Sequence, residues 1–150
     1  MKMFLFVLLG SLLIAPATCM KMLGAPVTII NPDNDNSTVE IVNYFLDETN
    51  AERYRNKTSP LVLIQVLDAT RQVVAGNRYR VTFAAGEARC RSQKAEKYNV
   101  RREKCWLFRN GEMRIYKIDV VDAPWEKPPK RILEKEVVYS FYYNTRNDRV

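Results

Sequence analysis

The spacing of apolar residues changes along the chain, and the first regular stretch predicts a helix. Four apolar residues recur at helical spacing, with polar residues on the opposite side: Ile41, Val42, Phe45 and Leu46. The preceding stretch from Ser37 to Glu40 fits a capping box, in which a serine caps the first turn and a glutamate returns to its amide. We therefore expect one amphipathic helix that begins at Ser37 and ends near Tyr54.

After Pro60 the pattern changes to a period of two, which is typical of half-buried strands. Two long runs carry it, and their apolar positions are Val62, Ile64 and Val66, then Tyr79, Val81 and Phe83. Further strands are predicted from Trp106 to Phe108, around Met113 to Val121 and from Ile132 to Tyr143, with Asn110-Gly111 as a hairpin turn. One helix followed by consecutive strands predicts an α+β fold, in which the helix packs on a mainly antiparallel sheet.

Five uncharged residues separate the two long runs: Gln72, Val73, Val74, Ala75 and Gly76. A turn that faces water is usually polar, so two valines beside a hairpin tip expose apolar surface that folding does not bury. One interpretation is that this tip inserts into a partner. The other is that Val73 and Val74 end a strand and that Gly76 supplies the backbone angle of an ordinary turn.

The first residues have the order of a secretory signal peptide. Lys2 precedes an apolar run from Phe4 to Ile14, and Ala15-Pro16-Ala17 supplies small residues for cleavage. We assign residues 1–19 to the signal peptide, residues 20–143 to one domain and residues 144–150 to a flexible tail. Cleavage after Ala17 would instead retain Cys19. No later segment approaches the roughly 20 apolar residues of a membrane span, so we expect a secreted, extracellular protein.

Cys90 and Cys105 remain after this cleavage, and two cysteines in an oxidising compartment most simply form one disulfide. Free thiols or metal ligands are the alternatives, but the chain has no histidine and no further cysteine nearby to complete a zinc set. We expect neither a metal nor a cofactor. Asn36 and Asn56 fit the N-glycosylation pattern, and an exported chain can carry glycans at both.

Charge and composition exclude several classes of function. The net charge is +7, but acidic residues are interspersed with basic ones, and the densest basic cluster, Lys97 to Lys104, lies between the two cysteines. This pattern does not predict a nucleic-acid site. The chain lacks histidine, the usual general base, and any glycine-rich phosphate loop. The adjacent acids Asp47 and Glu48 point in different directions on a helix, so we do not expect an enzyme.

Three exposed features remain, and their order resembles that of the secreted (type 2) cystatins, inhibitors of papain-like cysteine proteases. They are an N-terminal segment around Leu23-Gly24, a first loop of Gln72 to Gly76, and a second loop with Pro124-Trp125. The resemblance implies one long helix wrapped by a sheet of about four to five strands. It also implies that the three features line up at one end of the molecule; together we call them the wedge.

The resemblance further implies how the wedge would bind. Val73 to Gly76 would enter the protease cleft, Trp125 would pack against its primed side, and Leu23 would fill the apolar second pocket on the non-primed side. The blockade would be steric and reversible. The implied targets are papain-like cysteine proteases of the cathepsin L, S and B type. The resemblance also implies that the inhibitor is a monomer.

The sequence also departs from the family pattern. Type 2 cystatins usually carry two disulfides, and here Tyr116 and roughly Glu136 occupy the places of the second pair. The Ser-Asn-Asp tripeptide used against legumain is absent after the helix, so the resemblance does not support legumain inhibition. A second hypothesis also accounts for the net charge. In it, the same fold serves as a cationic binding protein of venom or host defence that acts on anionic surfaces without inhibiting proteases.

Overall fold

A computed structural model describes residues 24–90 and 105–142. The signal peptide, Cys19, Leu23, the basic cluster and the tail lie outside the described residues. Within them a 3₁₀ turn, one helix and six strands follow in the order β1 (Val27–Thr28), 3₁₀ turn (Pro32–Asn34), α1 (Asn36–Arg55), β2 (Leu61–Val74), β3 (Gly76–Cys90), β4 (Cys105–Leu107), β5 (Glu112–Asp122) and β6 (Lys130–Tyr142). No helix in these two ranges is long and apolar enough to cross a membrane.

Helix α1 forms where the apolar spacing predicts it, but its cap is one that the sequence argument missed. Asp35 is the N-cap, and its carboxylate accepts a hydrogen bond of 2.8 Å from the backbone N–H of Thr38. The predicted cap, Ser37, lies inside the first turn. Asp35 takes this role because its extended backbone lets the carboxylate reach the third helical amide, and carboxylates are strong caps. All four predicted apolar residues of the helix are buried.

The strands form one antiparallel sheet in the order β1-β2-β3-β5-β6, and β4 pairs with β3. The helix lies on one face. Phe45, Phe83 and Tyr116 meet between the two layers, with ring centroids 5.3 to 5.7 Å apart. Tyr116 thus fills core space at a position where the resemblance implies a cysteine. The predicted α+β class and the helix-on-sheet arrangement are confirmed.

Strand β2 does not keep the predicted period of two along its whole length. Its register with β3 shifts between Leu63 and Gln65 and again between Val66 and Asp68. Val66 belongs to the core under the helix, whereas Ile64 approaches Gly86 on the outer face of the sheet. The prediction that Ile64 and Val66 share one face is therefore wrong, because each bulge reverses the side to which later residues point.

The predicted hairpin at Asn110-Gly111 is also wrong. Strands β4 and β5 pair with the same edge of β3, so the chain does not turn back on itself there. Residues 108–111 form a loop that interrupts one long strand, and the N–H of Phe108 still bonds to the carbonyl of Glu87. At the start of β4, Cys90 and Cys105 are joined as the predicted disulfide.

The register gives the sheet two distinct ends. At one end β2 turns into β3 and β5 leads towards β6, so the first and second loops lie side by side. At the far end lie the disulfide and the contacts that fix the last turns of the helix. There the side chain of Asn50 exchanges two hydrogen bonds with the backbone of Leu61, and Arg53 forms an ion pair with Glu87.

Candidate functional site

The first loop is a tight hairpin whose apolar side chains remain in solvent. Val74 pairs with Gly76 across the turn, which leaves Ala75 alone at the tip. Val73 is 65% exposed and Val74 is 42% exposed. The valines end strand β2, as the ordinary-turn interpretation expects, yet their side chains find no place in the core. The tip therefore offers a narrow, uncharged, apolar edge.

Gly76 brings the first loop into direct contact with the base of the second. Its φ is +107°, an angle that other residues rarely adopt. A Cβ atom at this position would lie 2.5 Å from the carbonyl oxygen of Asp122 and 3.1 Å from the Cβ of Ala123. Only glycine therefore allows the two loops to approach this closely. The sequence predicts the unusual angle, but it does not predict the close packing.

The N-terminal segment is held against the first loop by a side chain. The amide nitrogen of Gln72 donates a hydrogen bond of 2.7 Å to the carbonyl oxygen of Gly24. Gly24 has a φ of +90°, and a Cβ there would lie 3.4 Å from the carbonyl oxygen of Val73. Strand β1 adds backbone pairing with Arg71 and Thr70. Gly24 thus lies beside the first loop, and Leu23 lies just outside the described residues.

The second loop presents its tryptophan to solvent. Trp125 is 69% exposed and Pro124 is also exposed, whereas the neighbouring Ala123 is buried. The loop closes through hydrogen bonds from the N–H of Ala123 to the carbonyl of Pro129 and from the N–H of Glu126 to the carbonyl of Ala123, both 2.8 Å long. The buried base and short hydrogen bonds hold a loop whose indole has no core to fill.

The outer face of the sheet behind the loops is electrostatically compensated. Arg78 donates to both carboxylate oxygens of Asp119, and Arg80 donates to one of them. These hydrogen bonds, that from Arg78 first, hold the pKa of Asp119 below its ordinary value. Arg78 and Arg80 are therefore already paired with Asp119, and the first loop, Gln72 to Gly76, is itself uncharged.

The described residues offer little for chemistry. They contain no group of three potential metal ligands. Asp47 has a pKa raised to about 6, because burial disfavours its charge and Glu48 adds repulsion. It lies on the helix, and the two loops are formed by the strands, so this shift gives no reason to place a reaction at the wedge. The arrangement at the wedge is suited to binding.

Two further sets of predicted residues lie away from the loops. The Cys90–Cys105 disulfide is at the far end of the sheet. Asn36 is the first residue of α1 and Asn56 directly follows the helix; both are exposed, and their glycosylation stays a prediction. The sequence does not predict two contacts near the wedge, namely the hydrogen bond from Gln72 to Gly24 and the ion pair of Lys130 with Glu40. Both contacts join residues far apart in the chain, so no pattern of neighbouring residues predicts them.

Comparison with known proteins agrees with this geometry. A family model described as a cystatin domain matches residues 26–110, more than half of the chain. Cystatin cpi-1 of Brugia malayi is 30% identical over 95 residues, which cover 63% of this chain and 70% of that protein.

Solved structures share the fold at low sequence identity. Dimeric human cystatin F has a TM-score of 0.56 at 16% identity, with 89% of this chain and 98% of that one covered. The salivary cystatin of the soft tick Ornithodoros moubata has a TM-score of 0.58 at 15% identity, with coverages of 77% and 98%. Mialostatin, a gut cystatin of the hard tick Ixodes ricinus, has a TM-score of 0.56 at 18% identity, with coverages of 75% and 96%. With the family match over residues 26–110, the chain belongs to the cystatin family, which consists of cysteine protease inhibitors and not of enzymes.

Proposed function

We propose that the chain is a secreted, reversible and tight-binding inhibitor of papain-like cysteine proteases of the cathepsin L, S and B type. The wedge blocks the active-site cleft, and one inhibitor molecule meets one protease. The observation that carries the proposal is the contact of Gly76 with Asp122 and Ala123, which holds two exposed apolar loops side by side. Gly24 lies on the other side of the first loop. A narrow edge of this kind fits a groove.

The described part of the wedge, Gly24 and the two loops, is formed before any partner arrives. Hydrogen bonds and backbone pairing already hold Gly24 and both loops, so binding orders few residues and loses little conformational entropy. Val73, Val74 and Trp125 lose contact with water on binding, and tryptophan is the residue most enriched at binding hot spots. These features favour tight binding without any covalent step.

The chain's two tryptophans provide a matched test. Trp125 lies in the second loop, whereas Trp106 is 55% exposed in β4, at the far end of the sheet. We expect the purified protein to inhibit papain and cathepsin L at submicromolar concentration, and Trp125→Ala to weaken inhibition by about 2 kcal/mol, roughly thirtyfold. Trp106→Ala should leave inhibition unchanged. Full protease activity at micromolar inhibitor, or equal effects of the two substitutions, would rule the proposal out.

The described residues do not favour the alternative of a cationic protein that binds anionic surfaces. Several of their basic side chains already have acidic partners, namely Arg53 with Glu87, Arg78 and Arg80 with Asp119, Arg114 with Glu112, and Arg131 with Glu126. Paired charges attract anionic surfaces less than free ones do. Salt-sensitive binding to anionic vesicles without inhibition of papain would support the alternative.

A further inference from the structure

Lys130 occupies the point where the second loop rejoins the sheet. It is the first residue of β6, and its backbone pairs with Asp122, the last residue of β5. This pair closes the loop that carries Pro124 and Trp125. The position of Lys130 therefore fixes where the base of the second loop lies.

The side chain and the backbone of Lys130 both reach towards the helix. Its Nζ lies 2.8 Å from Oε1 of Glu40 and 3.7 Å from Oδ1 of Asp122, and its side chain is 18% exposed. The hydroxyl of Tyr44 donates a hydrogen bond of 3.0 Å to the carbonyl oxygen of Lys130. One residue thus joins the first turns of α1 to the base of the second loop. Glu40 is largely exposed, whereas the side chain of Lys130 is mostly buried.

This junction continues to the first loop. The carbonyl of Asp122 and the side chain of Ala123 border Gly76 so closely that a methyl group does not fit between them. A shift of Asp122 would therefore change the separation of the two loops. The helix, Lys130, Asp122 and Gly76 form a continuous chain of contacts from the rigid core to the wedge.

We propose that Lys130 is a positioning residue that holds the second loop, and with it Trp125, at the separation from the first loop that protease binding requires. The inference rests on the proposed function. Lys130 acts through Trp125 and does not itself contact the protease. An ion pair without this role would contribute only to stability. The two roles therefore differ in whether a substitution of Lys130 also changes the dissociation constant for the protease.

A double-mutant cycle separates these roles. Lys130→Met keeps the aliphatic stem and removes the charge, and we expect it to raise the dissociation constant for papain about fivefold to tenfold. In a Trp125→Ala background the same substitution should change binding less than twofold. Lys130→Arg should restore most of the affinity. The matched control is Lys135→Met, in the same strand, because Lys135 forms no ion pair with any described residue, and we expect wild-type binding. An unchanged dissociation constant, or an equal loss in both backgrounds, would overturn the inference.

A second measurement does not depend on any protease. The chain has two tryptophans, so protein labelled with 5-fluorotryptophan gives two fluorine NMR signals, and Trp125→Ala identifies one of them. We expect Lys130→Met to shift or broaden the Trp125 signal and to leave that of Trp106 unchanged. Lys135→Met should change neither. A Trp125 signal unaffected by Lys130→Met would contradict the inference. If wild-type protein fails to inhibit papain, the proposed function fails while this signal still reports whether Lys130 positions the loop.

Discussion

The replacement of Gly76 by alanine should separate the two loops. The added methyl carbon would lie 2.5 Å from the carbonyl oxygen of Asp122, a distance that real Cβ atoms do not show, and 3.1 Å from the Cβ of Ala123. Because the obstacle is backbone, the second loop has to move by up to about 1 Å to restore an ordinary van der Waals separation. The φ of +107° adds strain of about 1–3 kcal/mol for a residue with a side chain.

The consequence for inhibition follows from that movement. If the second loop no longer meets the protease together with the first, the contribution of its tryptophan, about 2 kcal/mol, is lost. We expect Gly76→Ala to weaken inhibition of papain by at least about thirtyfold. The backbone strain should also lower the free energy of unfolding, by about 1–3 kcal/mol.

The assay compares inhibition constants for papain with unfolding midpoints in urea. Gly86→Ala is the matched control, because Gly86 lies farther along β3 without a positive φ, and its nearest obstacle is the flexible side chain of Leu107. We expect this control to inhibit like the wild type. Wild-type inhibition by Gly76→Ala, or an equal loss with Gly86→Ala, would show that inhibition does not depend on the close contact between the two loops.

Two further substitutions test other parts of the structure. Gln72→Glu keeps the shape of the side chain but removes the N–H group that donates to the carbonyl of Gly24, so we expect about tenfold weaker inhibition. The effect should be non-additive with that of Leu23→Gly and additive with that of Trp125→Ala. Additivity with both would contradict the role of this hydrogen bond. Asp47→Asn removes a carboxylate whose pKa is about 6 in the folded protein and about 4 in the unfolded chain. Ionisation of this carboxylate therefore lowers the free energy of unfolding as pH rises from about 4 to 6. Because this group is partly solvated, we expect the variant to be more stable by about 1 kcal/mol at pH 7 and unchanged at pH 4, measured by urea unfolding; an equal effect at both pH values would contradict the cause.

The sequence predicts the helix and its buried face well because their signal is local and repeated. Ile41, Val42, Phe45 and Leu46 recur at one period, and no competing pattern interrupts them. The cap was less predictable, because Asp35 and Ser37 are both good capping residues two positions apart. Only the backbone angle at Asp35 decides between them.

Strand positions were less predictable because pairing depends on distant partners. The bulge between Leu63 and Gln65 places Ile64 and Val66 on opposite faces, although they are two positions apart in the sequence. Asn110-Gly111 has the composition of a hairpin turn, yet the pairing of both flanking strands with β3 forbids one. Registers of this kind are set by the whole sheet.

The wedge residues were identified as exposed apolar features, but the contacts that join them were not. Gln72 reaches Gly24 across 48 positions, and Tyr44 reaches Lys130 across 86. Such contacts depend on the finished fold. Gly76 is intermediate, because its residue type suggests a turn while its close packing against Asp122 appears only in three dimensions.

We propose above that the wedge blocks a protease cleft reversibly. The most direct test is the inhibition constant of the mature protein for papain, measured at several substrate concentrations and again after dilution of the complex. We expect submicromolar inhibition that competes with substrate and is fully released on dilution. Full papain activity at micromolar concentration of the protein, or inhibition that substrate does not relieve, would contradict it.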